Sequence, residues 1–388
     1  VSVVPTTAAI PTEIGNYFDD ILHERISRFL DPYIMTSTPY YQERLIAELA
    51  VQRAAILTKN VLASVNRGEF AKADKTPVTI ADFAVQALLI SALHNAFPAD
   101  SFVGEENADA LRDNASLKQR VWDLVASSHM GDSELPLASP TSEEEMMEAI
   151  DLGGQGKGGP KGRIWMLDPI DGTATFLRGE QYAISLALIE DGKEKVGVLG
   201  CPNLNLKTGR VQETIVDERG YGLMLSAVRG QGATIRPIGT RSLLPAVIID
   251  GLGEGPVDLK DLHFVDSSQS NVWWHEKVRE VAAKVGAAYP GTDLWSSHMR
   301  YVALIVGGGD VQLRIPRKSS TPAYVWDHAG IQLIFTEAGG RITDLNEKDI
   351  DFGAGRELAN NWGIIATKRG VHTRVLNVVD DILRDNKS

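Results

Sequence analysis

The sequence predicts a mixed α/β protein, with helices first, a run of strands next, and strands alternating with helices to the end. Three passages carry that reading. From Tyr41 the stretch YYQERLIAELAVQRAAILTKNVLASV repeats apolar residues near the helical period. Between residues 163 and 239, RIWML, YAISLALIEDGKEKVGVLG and GYGLMLSAVRGQGATIRPIG are apolar, β-prone runs broken by turn residues. A Gly/Pro-rich passage near Pro245 then opens the alternating part, and a domain boundary is predicted there, between 41–245 and 246–388.

Taken in order, residues 1–40 are mixed and Pro-containing, and predict an irregular arm with one short helix. In the long helix that follows, Leu45, Ile46, Leu49, Ala50, Ala54, Ile56, Leu57, Val61 and Leu62 line one side, with charges between them. A second helix is predicted over IADFAVQALLISALHNAF, residues 80–97, stopped by Pro98. The composition shifts sharply between Ser127 and Gly162, toward Ser, Pro, Glu and Gly. This stretch predicts a mobile surface insertion with one helical turn at EEEMMEAI. Gly154, Gly156 and Gly159 match G-x-G-x-x-G, but no strand leads into them and Pro160 follows in place of a helix, so no dinucleotide site is predicted. RIWML then reads as a short buried strand, Asp191-Gly192 as a hairpin turn, and AGIQLIFTEAGG as a helix.

Composition excludes several classes of function. The chain has 388 residues, 43% of them hydrophobic and 23% charged, which is ample for a large core in two or three units. With 51 acidic against 39 basic side chains the net charge is −12. A protein that coats nucleic acid or lies on a membrane surface needs a basic face, so neither is expected. The lone cysteine, Cys201, rules out an intrachain disulfide and a cysteine-built zinc site. The eight histidines show no H-x-x-x-H or H-E-x-x-H spacing. No apolar run reaches the roughly 18 residues that span a bilayer. Val1 to Pro11 lack the charged-then-apolar pattern of a signal peptide, and the expected location is cytoplasmic; a chain opening on Val leaves an organelle open, should a targeting segment have been removed.

The chemistry concentrates in Asp168-Pro169-Ile170-Asp171-Gly172-Thr173, directly after RIWML. Two carboxylates three apart on a turn, beside the Ile170 carbonyl, present three oxygens to one point. Pro169 holds Asp168 extended, and Gly172 permits a sharp turn. Hard oxygens at a strand end suit Mg²⁺, which takes a few carboxylates and keeps water elsewhere. Three further acids are candidates. Glu105, in VGEE, again follows a short β-prone run, though solvated acidic loops share that pattern. Asp327 opens a helix and fits an N-cap as well as a ligand. Asp82, in TIAD, fits a helix cap or a first-turn charge, and His328 reads as structural.

In combination and in order, VGEE (103–106), DPIDGT (168–173), WDHAG (326–330) and EAGGRITDL (337–345) resemble the Mg²⁺-dependent, lithium-sensitive phosphatases of the inositol monophosphatase superfamily. TPVTIADFAVQ, FPADSFVGEE and DPIDGTATFLRGEQYAISLALIEDG are most similar to its 3′(2′),5′-bisphosphate nucleotidase branch, over roughly residues 44–370. The resemblance implies a layered αβαβα sandwich of the inositol monophosphatase/fructose bisphosphatase type. It implies hydrolysis of 3′-phosphoadenosine 5′-phosphate (PAP) to AMP, with two or three Mg²⁺ ions and a direct attack by water. Residue by residue, it places metal ligands at Glu105, Asp168, Ile170 (carbonyl), Asp171 and Asp327, and a water-activating pair at Asp82 and Thr173. It places substrate contacts at Thr173, Ser297, Arg300, Arg314 and Asp327. Two positions depart from the pattern: Arg300 stands where a relative has Lys, and a substrate-contacting His is replaced near Asp266-Ser267-Ser268. The implied partner is a small nucleotide bisphosphate, neither nucleic acid nor membrane, with a monomer favoured. The rival readings are an inositol phosphate 1-phosphatase and a catalytically silent nucleotide sensor.

Overall fold

A computed structural model describes residues 38–66, 76–128, 136–249, 251–268, 272–318 and 321–384. Most of the expected N-terminal arm lies outside these residues. Helix α1 (Tyr41–Asn66) begins where the periodicity does. Helix α2 (Thr76–Ala96) starts four residues before the apolar run, because a proline in a helix's first turn forfeits no hydrogen bond.

Strand β1 (Ser101–Gly104), the short helices α3 (Asp109–Asp113) and α4 (Ala115–Ser127), and helix α5 (Glu143–Gly154) come next. Helix α5 corrects the expectation of one turn in a surface insertion. It runs 12 residues and buries Met146, Ala149, Ile150 and Gly153, an i, i+3, i+4, i+7 stripe packed against α2. Its start is capped by Ser142, whose hydroxyl accepts the Glu145 N–H, while the Glu145 carboxylate accepts the Thr141 N–H at 2.7 Å. The Ser/Glu-rich composition that suggested a loop is in fact the helix's cap and first turn.

Strands β2 (Arg163–Asp171), β3 (Ala183–Glu190), β4 (Lys193–Cys201), β5 (Leu223–Val228), β6 (Ala233–Pro237) and β7 (Val247–Ile248) follow, with the short helix α6 (Thr173–Leu177) after β2. With β1 they form a seven-stranded sheet in sequence order, in which β1 and β2 pair parallel and the remaining pairs are antiparallel. Strand β2 is covered on both faces, which is why RIWML reads as an unbroken apolar run. Trp165 and Leu167 enter the core under α1 and α2, and Ile164 and Met166 enter a second cluster with Trp326 and Phe352.

The remaining elements are β8 (Val265–Asp266), α7 (His275–Val285), β9 (Thr292–Asp293), α8 (Ser297–Val306), β10 (Val311–Arg314), α9 (Ala329–Glu337), β11 (Gly340–Thr343), β12 (Ile364–Lys368) and α10 (His372–Arg384). Helices α8 and α9 lie between the large sheet and a three-stranded sheet of order β10-β12-β11; α7 and α10 pack together, with α10 against β12. The layers are therefore α1/α2, large sheet, α8/α9, small sheet, α7/α10: the expected αβαβα sandwich. Among the described residues no helix is long and apolar enough to cross a membrane.

If α5 belongs to the core, Ile150→Ala should cost roughly 2–5 kcal/mol of stability in equilibrium denaturation. A loss below about 0.5 kcal/mol would return this segment to the surface.

Candidate active site

The site begins with a fault in β2. Asp168 pairs with Ser185 and Asp171 with Ala183, so β2 carries one residue more than β3 between them. In a regular strand, residues three apart point to opposite faces. The extra residue turns Asp171 to the side of Asp168, and Pro169, with no N–H to donate, is tolerated in the bulge. Gly172 then turns the chain at φ 98°, where a Cβ would lie 2.7 Å from the Thr175 hydroxyl and 3.2 Å from Cβ of Ser296. No other residue fits there.

Two further segments deliver their acids to the same end of β2. Parallel pairing sets Gly104 opposite Leu167, so Glu105 arrives level with Asp168 and lies within hydrogen-bonding contact of it. Glu105 keeps solvent access at the mouth although protein surrounds most of it. Asp327 ends the 3₁₀ turn Val325–Asp327 ahead of α9. That helix can seat its first turn on the sheet because Gly330 faces Gly197: a Cβ on Gly197 would meet the Gly330 carbonyl at 2.4 Å. The N-cap position of α9 is His328, and no side chain caps the helix, so the cap reading of Asp327 does not hold. Carboxylate oxygens of Asp168, Asp171 and Asp327 lie within 4.8 Å of one another.

The donor set fits a hard metal ion. Asp168 Oδ1 is buried and has no hydrogen-bond partner. Such an atom costs on the order of 1–3 kcal/mol unless a cation meets it. One oxygen of Asp171 is already occupied: Oδ2 accepts the Ser296 hydroxyl and the His298 N–H at 2.7 Å, both from the start of α8. Those bonds fix the carboxylate through Oδ2. The Ile170 carbonyl accepts the Thr173 hydroxyl at 3.4 Å, and Thr173 is exposed.

Asp82 is the seventh residue of α2, past the first turn and 6% exposed, so it is neither a cap nor a first-turn charge. Helix α2 packs on α6, bringing Asp82 and Thr173 onto adjoining elements. Burial, then Glu106 and Glu105, push the Asp82 carboxyl well above its ordinary range. Burial and neighbouring carboxylates likewise raise Asp168 and Asp327 strongly and Glu105 less, and Glu106 is pushed up to about 7.

The expected substrate residues divide into two kinds. Arg300 is drawn inward: Nη1 donates to the carbonyls of Leu294 (2.9 Å) and Trp295 (2.8 Å), and Nη2 to the Ser297 hydroxyl (2.9 Å). It therefore braces the α8 entry and is 3% exposed. Arg314 is also buried, but its Nη2 has no partner, and Nη1 reaches Asp266 at 3.4 Å. Asp266 lies in the stretch 266–268 near which a substrate-contacting histidine was expected, and its carboxylate also meets Nδ1 of His275 (2.9 Å) and the Tyr289 hydroxyl. Arg314 and these hydrogen bonds hold Asp266 below its ordinary range despite burial. His328 is buried against Tyr301, as a structural residue would be. Cys201 is fully buried, and burial pushes its thiol far up, so it is no nucleophile.

Residues 42–383 match the inositol monophosphatase family. The chain is 41% identical over 356 residues to the 3′(2′),5′-bisphosphate nucleotidase of Emericella nidulans, covering 89% of this chain and 99% of that protein. The chain belongs to the inositol monophosphatase family. The nucleotidase of the same name from Schizosaccharomyces pombe is 39% identical over 340 residues, covering 86% and 94%. An inositol monophosphatase from Zymomonas mobilis superposes with TM-score 0.54 at 17% identity (88% and 99% covered), and 2′AMP-bound SaIMPase-II with 0.53 at 17% (88% and 97%). Those two likenesses speak for the fold alone.

Within this member of the family, the sequence pattern did not display the residues that aim the acids. Ser296 and the start of α8 orient Asp171. Gln86, one helical turn beyond Asp82 and fully buried, clamps the Glu105–Glu106 turn: Oε1 accepts the Glu106 N–H at 3.0 Å, and Nε2 donates to the carbonyls of Glu106 (2.6 Å) and Ile150 (2.8 Å). The spacing Asp82–Gln86 was the available signal.

The raised Glu106 has a measurable sign. Its folded pKa lies above the unfolded value, so metal-free protein holds a proton there that the unfolded chain has released. The stability difference between wild type and Glu106→Gln should therefore move against wild type as pH rises from about 4.5 to about 7, by up to roughly 3 kcal/mol, and then level off. Buried histidines titrate alike in both proteins and cancel. A difference flat with pH would contradict the assignment.

Proposed function

We propose that this protein is a magnesium-dependent phosphatase that removes the 3′-phosphate of PAP to give AMP, with the sulfated analogue PAPS as a second candidate. The observation that carries the reading is the partnerless Asp168 oxygen in a cluster of carboxylates, with buried Arg314, whose Nη2 is free, bearing on Asp327 of that cluster. The names of the relatives at 41% and 39% identity support the choice of substrate. Glu105, Asp168, the Ile170 carbonyl, Asp171 and Asp327 are the residues that would hold the ions. When bound, Mg²⁺ supplies positive charge that neutralises the ester and acidifies water.

The remaining chemistry falls to the chain's own groups. Thr173 Oγ1, exposed at the mouth, takes a proton from the attacking water and passes its own toward Asp82. Asp82 is suited to receive it, because burial beside other acids raises its affinity for protons. The water oxygen bonds to phosphorus as the P–O3′ bond breaks, and O3′ takes up a proton from solvent, matched by the proton Asp82 then gives back to solvent, leaving AMP and inorganic phosphate. Arg314 holds the 5′-phosphate through its open Nη2. Arg300 keeps Ser297 and the α8 entry in place for the nucleotide.

Phosphate release from PAP, PAPS and inositol 1-phosphate, with Mg²⁺ and with added Li⁺, tests the reading. PAP should be the best of the three, and Li⁺ should inhibit. Asp171→Asn should lower release at least about a hundredfold without unfolding the protein. Arg314→Met should raise KM for PAP about tenfold or more while changing turnover of inositol 1-phosphate little. Preference for the inositol ester would move the protein to the other branch, and release by Asp171→Asn at the wild-type rate would remove the mechanism.

A further inference from the structure

Arg356 belongs to no helix or strand, yet it ties together two acids that arrive on unconnected segments. Its guanidinium Nη2 donates to the Gly104 carbonyl at 2.7 Å, across 252 positions of sequence. Gly104 is the last residue of β1 and the one before Glu105. Nη1 donates to the carbonyls of Gly156 (2.9 Å) and Gly153 (3.2 Å), so the same fork holds the end of α5 and the glycine run beyond it.

The main chain of this segment grips the other acid. The Arg356 carbonyl accepts the Val325 N–H at 3.0 Å, and the Leu358 N–H donates to the Ala323 carbonyl at 2.8 Å. These bonds flank the 3₁₀ turn that ends in Asp327. The guanidinium carbon also lies 4.6 Å from the ring centre of Trp326, whose other partner is Tyr324, stacked at 4.7 Å with planes 6° apart. Trp326 immediately precedes Asp327 and Gly104 immediately precedes Glu105, so Arg356 acts one residue away from each carboxylate. Its positive charge also bears on Glu105, opposing in part the rise that burial and Asp171 give that carboxyl.

We propose that Arg356 is a positioning residue that sets the separation of the Glu105 and Asp327 carboxylates, so that divalent-cation affinity depends on a side chain that is not itself a ligand. The inference rests on the metal-dependent reading of the site. Three carbonyls in diverging directions need a planar fork of donors; a lysine ammonium places its charge at one point and cannot span them.

The test measures Mg²⁺ binding to the full chain by calorimetry, beside kcat and KM. Arg356→Lys keeps the charge and much of the packing. It should weaken Mg²⁺ binding about tenfold or more and lower kcat, while KM at saturating Mg²⁺ stays within about threefold. Arg356→Ala should bind Mg²⁺ at least as weakly, and added guanidinium ion should restore part of the affinity. Val281→Ala, in the outermost layer, serves as the control: it should lose stability yet bind Mg²⁺ as wild type does. If Arg356→Lys matches wild type within about twofold in Mg²⁺ affinity and kcat, the positioning role is wrong and the metal reading stands. If wild type itself binds no Mg²⁺, the metal reading falls and this inference falls with it.

Discussion

The structure is organised around mutual repulsion. Asp168, Asp171 and Asp327 crowd their oxygens into one small volume, with Glu105 at the mouth and Asp82 close behind. Burying one carboxylate without a partner is costly, and each added neighbour of the same sign raises the cost. Free of a cation, such a cluster relaxes by taking up protons or by drifting apart. The surrounding fold blocks the second route and leaves the first, which is why Asp82, Asp168 and Asp327 have raised proton affinity.

The drift is blocked by contacts to backbone and hydroxyl groups rather than by ion pairs with the acids. Asp171 is held through one oxygen by a hydroxyl and a backbone N–H. Glu105 is held through its neighbours' backbones, by the Gln86 amide on one side and Arg356 on the other. Asp327 is carried by a turn bonded to the segment of Arg356. In each case the anchor engages the backbone or a single carboxylate oxygen. The two arginines behind the cluster follow the same logic: Arg300 spends its Nη donors on carbonyls and Ser297, and Arg314 leans on Asp266. Had either formed a direct ion pair with Asp168 or Asp327, it would have competed with a metal for the same oxygen.

What was legible in the sequence follows from this division. Ligand-type residues lie in short local patterns, DPIDGT, VGEE and WDHAG, because strand ends and helix starts present them, and local pattern is what a sequence displays. Helix α1 and the strands from β2 to β6 were legible for the same reason, since apolar period records which face is buried. Helix α5 was misread because its capping residues resemble loop composition, although Met146, Ala149, Ile150 and Gly153 carried the period throughout. Arg356 and Ser296 gave no signal, because their partners lie 252 and 125 positions away and are chosen by the fold. The departure near Asp266-Ser267-Ser268 was visible, yet its surroundings were not: Asp266 anchors Arg314, His275 and Tyr289 together.

The bulk charge of −12 then takes on a definite meaning. At long range it repels a small anion, but screening confines that repulsion to about 10 Å at moderate salt. Within the site the balance is set by whatever the acids hold. Their own negative charge would draw cations to the cluster, and held cations would in turn draw an anion. A basic pocket built from lysines would attract the same ester without this step, but it could neither orient nor acidify a water. The anchors around Asp171, Glu105 and Asp327 therefore preserve something a simple positive patch lacks: a fixed geometry for charge that the chain itself does not contain.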